Sequence, residues 1–381
     1  MIGSSANGPY SLANPFPQGI TAPSGRELGY LTNIGNGVSF DGRQRPIPRT
    51  YQYSFGLQRH VWWNVLLDAS YVGSVTNHDS MAYNSDYLPM DTFLQGQKTN
   101  TYLTRTVANP FFGILPANST FGASATIAAT SLYYPFPAFN GVTISTNPWA
   151  KVRYDSFQLS VQKRFGGNRN VGGALTTVFS YTFSKNLQSA NRLNNWNLNE
   201  APVHELVSYD KPQNISYSGV WDIPFGKGRH FLAAPHKLLN PVVSGWTVNW
   251  IYRFTSGNPV AGIDAINSCA NFLVAEQTKD RWFNNDKTCY KGRASFTLRV
   301  IPDRYAWLRQ MDNLSVNVAA AKTFRLTERW SFNLRGEAFN VANHPIYKAP
   351  DTGFTNARFG MLPLEQQNFP RVMQVSAKLI F

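Results

Sequence analysis

Apolar and polar residues alternate along most of the chain from residue 51 to its end. Trp246, Val248, Trp250, Tyr252 and Phe254 form one row, and Thr247, Asn249, Arg253 and Thr255 the other, with Ile251 as the exception. Neighbours in an extended strand point to opposite faces, so such a segment has one greasy and one wet side. The same reading applies at Tyr51–Leu57, at Trp63–Tyr71 and at Phe157–Val161, where Ser and Gln fill the gaps. It applies again to Leu175, Phe179, Tyr181 and Phe183, and to Ile215, Tyr217 and Trp221. Leu314, Val316, Val318 and Ala320 form a further row, as do Trp330, Phe332, Leu334 and Ala338. The last row is Met373, Val375, Ala377, Leu379 and Phe381, opposed by Gln374, Ser376 and Lys378.

The pattern predicts nine strands, most of about 9–12 residues, which at a tilt near 45° cross about 25 Å of hydrocarbon. A soluble sandwich shows the same alternation in strands of about 5–6 residues. Connections alternate between short and long: about 2 (His60, Val61), 80, 6, 28, 20, 57, 5 and 30 residues, as short periplasmic turns and long external loops would. The last strand then runs down to Phe381. Trp63, Phe165, Trp221, Trp246 and Trp330 fall at the periplasmic rim, and Tyr51, Tyr71, Phe183 and Phe254 near the outer one, giving two aromatic girdles. The only charges in the greasy rows are Arg59, Lys163 and Lys322, all at the periplasmic end, where long basic side chains reach headgroups. The wet rows carry Arg253, Arg335, Glu337 and Lys378, expected to face the lumen as an internal ion-pair lining, or else to touch a plug or a solute.

Composition agrees with this reading. Charged residues are 15% of the chain against about 25% in soluble domains, aromatics are 14%, and mean hydropathy is −0.29. No apolar run approaches the ~20 residues of a membrane helix. The net charge of +14 first suggests nucleic acid, but Lys and Arg are scattered singly, so no nucleic-acid partner is expected. Cys269 and Cys289, 20 apart in one polar stretch, are too few for a structural zinc site. They are expected to close a loop as a disulfide, with two unrelated thiols as the alternative.

Residues 1–20 have neither a basic start nor an apolar core, so they do not read as a signal peptide. An odd strand count leaves open edges, so further strands are expected upstream or within 1–50 or 75–150.

The chain resembles the C-terminal barrel region of Oar-like TonB-dependent outer-membrane receptors of the Acidobacteria type, from about residue 14 onward. The likeness rests on Asn-Pro-Phe-Pro at 14–17, Ala-Ser-Tyr-Val-Gly-Ser at 69–74, Ser-Tyr-Thr-Phe-Ser-Lys at 180–185 and Ile-Pro-Phe-Gly-Lys-Gly-Arg at 223–229. It continues in Phe-Thr-Leu-Arg at 296–299, Lys-Thr-Phe-Arg-Leu-Thr-Glu-Arg-Trp at 322–330 and Arg-Gly-Glu-Ala-Phe-Asn-Val-Ala-Asn-His-Pro at 335–345. The resemblance implies a 22-stranded barrel around a plug domain that this sequence lacks, and uptake of bulky solutes with energy passed on by the TonB complex through that plug. Met373, Val375, Ala377, Leu379 and Phe381 resemble the terminal signal read by the barrel-assembly machinery.

The fold expected is therefore all-β: an antiparallel transmembrane β-barrel segment at 51–381, entered through an external loop region at 1–50. External loops are expected at 75–153, 185–212, 256–311 and 341–370, in contact with outer-membrane lipid and lipopolysaccharide. The expected function is the wall and outer loops of a solute path, without cofactor, metal or catalysis. An adhesin and a soluble carbohydrate-binding sandwich are the rivals. Gly226-Lys227-Gly228 lacks phosphate-loop spacing, and His204-Glu205 lacks the second His of a zinc protease. Asn214-Ile215-Ser216 matches a glycosylation sequon by chance, inside a strand. Loop aromatics, among them Tyr83, Tyr87, Phe111, Phe112, Tyr133, Tyr134, Phe136, Trp282, Phe283, Tyr305 and Trp307, either bind solute or pack the loops together.

Overall fold

The computed structural model describes residues 16, 29–43, 47–98, 103–115, 119, 121–164, 173–194, 197, 199–226, 229–232, 239–269 and 271–381. Nine strands of an 11-stranded sheet form one path in chain order. They are β1 (Arg49–Val61), β2 (Val65–Asn84), β3 (Val142–Arg164), β4 (Ala174–Ser189), β5 (Gln213–Asp222), β6 (Trp246–Thr255), β7 (Asn313–Arg325), β8 (Ser331–Phe339) and β9 (Val372–Ile380). No helix among the described residues is long and apolar enough to cross a membrane.

Pairing register joins the greasy rows into one face. Phe55 lies opposite Tyr71, Leu159 opposite Tyr181, and Phe179 opposite Tyr217. Tyr252 lies opposite both Tyr217 and Val316, Val318 opposite Ala338, and Leu334 opposite Ala377. Directly opposed residues share a face, so these pairings join the greasy rows of neighbouring strands. Two glycines on the greasy face make room for rings. Gly219 lies opposite Trp250, and a Cβ there would come within 2.4 Å of the indole; Gly73 lies opposite Tyr53, with 2.3 Å to its ring.

The first hairpin differs from expectation. Val61 pairs with Val65, and the turn is Trp62–Asn64, not His60–Val61. Trp63 and Asn64 take left-handed backbone, φ 60° and 54°, which Asn tolerates and which a tight hairpin needs. Trp63 therefore stands in the turn rather than opening a strand. The loops also begin later than expected, because pairing runs on: the first long connection is 85–141 rather than 75–153, and the next begins after Ser189. β2, β3 and β4 reach 20, 23 and 16 residues.

The chain divides into two compact units, Met1–Phe40 with Asn84–Thr143, and Asp41–Tyr83 with Ile144–Phe381. The first contains a helix, Met90–Lys98, and a short antiparallel pair, Thr106–Ala108 with Thr126–Ala128. Its apolar interior includes Leu103, Leu115 and Ile127. Burial raises the Asp86 carboxyl above its ordinary value there, against the pull of the Phe136 amide, which donates to it at 2.8 Å. In the second unit the buried apolar cluster is Val260, Ile263, Ala265, Trp282, Phe283, Cys289, Tyr290, Leu308, Phe359 and Leu362. Every member lies in the connections after β6 and β8, and none in the nine strands. Val375, by contrast, is 77% exposed on the greasy face. Strands joined in one sheet, with their greasy face outside the core, are not the two packed sheets of a soluble sandwich.

Candidate lumen wall and outer-loop site

The wet face is built by the residues that alternate with the greasy ones. On it Arg335 pairs with Glu337 at 2.6 Å, and Gln374 on the neighbouring strand donates to the same carboxylate. Lys378 lies opposite Asn333. Arg335 and Glu337 thus satisfy one another, while Arg253 has a different setting. It lines a cavity of about 620 Å³ together with Thr255, Asn313, Ser315, Asn317 and Phe339, at the outer ends of β6, β7 and β8. The rest of the lining, including Asn340, Ile346 and Asn368, comes from the connection that follows β8.

That connection is held in place by its own amides. The Asn340 backbone N–H donates to Asn317 Oδ1 at 2.9 Å, and Asn340 Nδ2 donates to the Phe369 carbonyl at 3.0 Å. Asn368 Nδ2 donates to the His344 carbonyl at 2.8 Å. A guanidinium among amides and hydroxyls offers hydrogen-bond donors to oxygen-rich or anionic groups. Among the described residues, no cluster of His, Cys, Asp or Glu could hold a metal ion.

Above this wall, three outer connections of the second unit pack as one assembly. Pro259–Ala261 pairs with Arg304–Arg309, and Ile266–Asn267 with Tyr290–Lys291. Cys269 and Cys289 form a disulfide with Cα atoms 5.2 Å apart. Phe283 and Tyr290 both meet Phe359 edge-on, at 5.2 and 4.8 Å between centroids. Trp282 donates from Nε1 to the Arg309 carbonyl at 2.6 Å. Of the loop aromatics, Trp282 and Phe283 are therefore packing residues. Tyr305 and Trp307 stack at 4.9 Å with Phe272 beside them, and Trp307 keeps an exposed face.

Two ion pairs tie the 190–212 connection to this assembly. Arg309 reaches Asp210 at 2.7 Å, and Arg304 reaches Glu205 at 3.1 Å, with both carboxylates buried. Asn194 and Arg299 exchange hydrogen bonds of 3.1 and 2.8 Å. Sequence reasoning missed these pairs, because residues 99 and 105 apart leave no local signal. Burial pushes the Tyr290 hydroxyl up to about 12 and raises Tyr305 as well. The Arg293 guanidinium beside Asp264 holds that carboxyl below its usual range.

At the other rim, basic residues sit on aromatic ones. Lys322 Nζ lies 5.0 Å from the Trp246 ring and 5.1 Å from Phe324, and donates to the Val242 carbonyl at 2.7 Å. Lys163 lies 5.9 Å over Trp63. These contacts keep the cations beside rings at the strand ends. Trp221 lies opposite Leu175, and Trp330 stacks on Phe381 at 5.2 Å. Phe165 and the predicted turn after it lie outside the described residues, as do Lys227 and Gly228. Met373, Val375, Ala377 and Leu379 share the greasy face of β9 and are exposed.

A family model described as outer membrane beta barrel domain matches residues 2–374. A search of curated proteins gives no match. Among solved structures, the outer membrane transporter YddB from Escherichia coli aligns at 11% identity and TM-score 0.43, over 91% of this chain and 34% of that one. The ferric-catecholate import receptor Fiu from E. coli K12 aligns at 9% and TM-score 0.38, over 90% of this chain and 30% of that one. A Pseudomonas aeruginosa FadL homologue aligns at 10% and TM-score 0.20, over 87% and 66%. The chain thus spans about a third of the length of the first two.

Proposed function

We propose that this chain, which belongs to the outer membrane beta barrel domain family, forms the wall and outer loops of a solute uptake path in an Oar-like TonB-dependent receptor. It resides in the cell outer membrane. The observation that carries the proposal is the cavity of about 620 Å³ on the wet face, with Arg253 on its wall and the 340–371 connection beside it. In this reading Arg253 and the amides of Asn313, Asn317 and Asn368 bind the solute, and a separate plug moves it on. β1 and β9 end the strand path. Hydrocarbon offers their outer edges no hydrogen-bond partner, so they pair with further strands of a larger barrel, 22 in the receptors the chain resembles. The wall performs no catalysis and binds no nucleic acid, and its terminal strand is read by the barrel-assembly machinery.

The packed, disulfide-held outer loops also favour a second reading, a surface adhesin. Titration of the detergent-extracted full-length protein with the purified periplasmic domain of TonB separates the two. Saturable binding is expected. Its absence removes energy coupling and leaves the adhesin.

A further inference from the structure

Toward its outer rim the greasy face carries charges: Arg49 opens β1 in the row of Tyr51, and a denser group lies on β3 and β4. β3 continues past Phe157 with Asp155, Arg153 and Lys151 on that face, and Lys185 of β4 lies directly opposite Asp155. These four correct the expectation that Arg59, Lys163 and Lys322 are the only charges in the greasy rows, because β3 and β4 are paired beyond the apolar alternation. On β5–β9 the same row ends in Gln213, Phe254, Leu314, Ala338 and Met373, without charge.

Asp155 organises the patch. It accepts from Tyr71 at 2.6 Å, from Tyr53 at 3.0 Å and from Arg153 Nε at 2.7 Å. One carboxylate therefore stands among three cations, and the two lysines and Arg153 are exposed. Immediately below comes an aromatic row, Phe55, Tyr71, Phe157 and Phe183. Lower still on the same face, Val161, Phe179, Ile215, Tyr217 and Tyr252 line an apolar groove of about 540 Å³. A cationic patch at headgroup level above an apolar groove fits a molecule with anionic phosphate at one end and acyl chains at the other.

We propose that Lys151, Arg153 and Lys185 bind the phosphates of lipid A in the outer leaflet, with an acyl chain in the groove beneath. This rests on the outward orientation of the greasy face and names the site of contact with lipopolysaccharide. The phosphates engage the three basic side chains, of which Arg153 is held at the rim by the Asp155–Tyr53–Tyr71 cluster. Phosphate contacts from both Lys and Arg are charge-assisted and strong where water is scarce.

The test uses the full-length protein extracted from outer membranes in mild detergent, cleared of lipopolysaccharide and titrated with bisphosphorylated lipid A, dephosphorylated lipid A and phosphatidylglycerol. Native mass spectrometry reads the bound lipid, and heat-modifiable electrophoretic mobility confirms the fold. Lipid A is expected to bind at least about tenfold more tightly than its dephosphorylated form, and the variant K151Q/R153Q/K185Q to lose that advantage. Equal binding of both forms, unchanged binding by the variant, or equal affinity for phosphatidylglycerol would overturn the proposal. If the triple variant is not recovered folded, K185Q with the same pair of lipids decides. Failure of the protein to fractionate with the outer membrane would instead strike at the orientation itself.

Discussion

In the outer loops Phe283 and Phe359 keep 1% and 2% of their surface exposed, whereas on the wall Phe55 and Val375 keep 69% and 77%. Both regions are rich in aromatic and aliphatic residues, and both belong to one compact unit. In the loops these residues gather into a core, with polar groups tied off by the Asp210–Arg309 and Glu205–Arg304 pairs. On the wall they form an exposed face, with none of the buried apolar cluster of the described residues against it. Burial in protein and exposure to hydrocarbon both remove apolar surface from water. The difference between the regions is therefore one of solvent: the loops fold against water, the wall against lipid.

The comparison breaks most easily at the loop core. Phe283→Ala should cost the loop assembly about 3–5 kcal/mol, seen as faster hydrogen exchange across 256–311 with the wall still heat-modifiable. Phe55→Ala should leave both unchanged, since lipid refills the space; equal losses at the two sites would erase the distinction. Replacing Cys269 and Cys289 with Ser should cost about 3 kcal/mol and speed proteolysis within 256–311 without impairing insertion. Loss of insertion instead would make the loops a condition of the wall. Val248→Arg should cost about 2–4 kcal/mol and lower the yield of inserted protein, whereas Asn249→Arg next to it should be tolerated. Matching yields would remove the assignment of faces.

The smallest effect sharpens the loop side. Burial disfavours the charged form of the Tyr290 hydroxyl and pushes it up to about 12 from its ordinary value of 10. Below pH 10 it is neutral whether the loops are folded or not, so its contribution is complete. Between 10 and 12 the unfolded form loses the proton first, so loop stability falls as pH rises through that window. Tyr290→Phe should flatten the fall, measured as loop protease resistance against pH; an unaltered slope would assign it to other groups.

The wall was legible because a period of two leaves its mark in every strand, and register then joins rows that the pattern had found separately. What the pattern missed has physical causes. Asp155, Arg153 and Lys151 extend β3 beyond the apolar rows, so charge hid strand that is still paired to β4. The turn at Trp62–Asn64 was placed two residues early because its rings read as strand. The loop assembly depends on contacts such as Asp210 with Arg309, which no local spacing announces. The cavity beside Arg253 was half visible: its wall residues fell in the wet rows, but Asn340 and Asn368 come from a connection without alternation.

The central claim is that the greasy rows touch lipid and the wet rows touch water. Single cysteines labelled with a fluorophore at Val248, Asn249, Val318, Asn317, Leu334 and Arg335 in the membrane-inserted protein test it directly. Cys269 and Cys289 are bonded to each other and escape the label. Quenching by a spin-labelled lipid should be strong at Val248, Val318 and Leu334, while a water-soluble quencher acts at their neighbours. Uniform quenching along the strands, or the opposite alternation, would contradict the account.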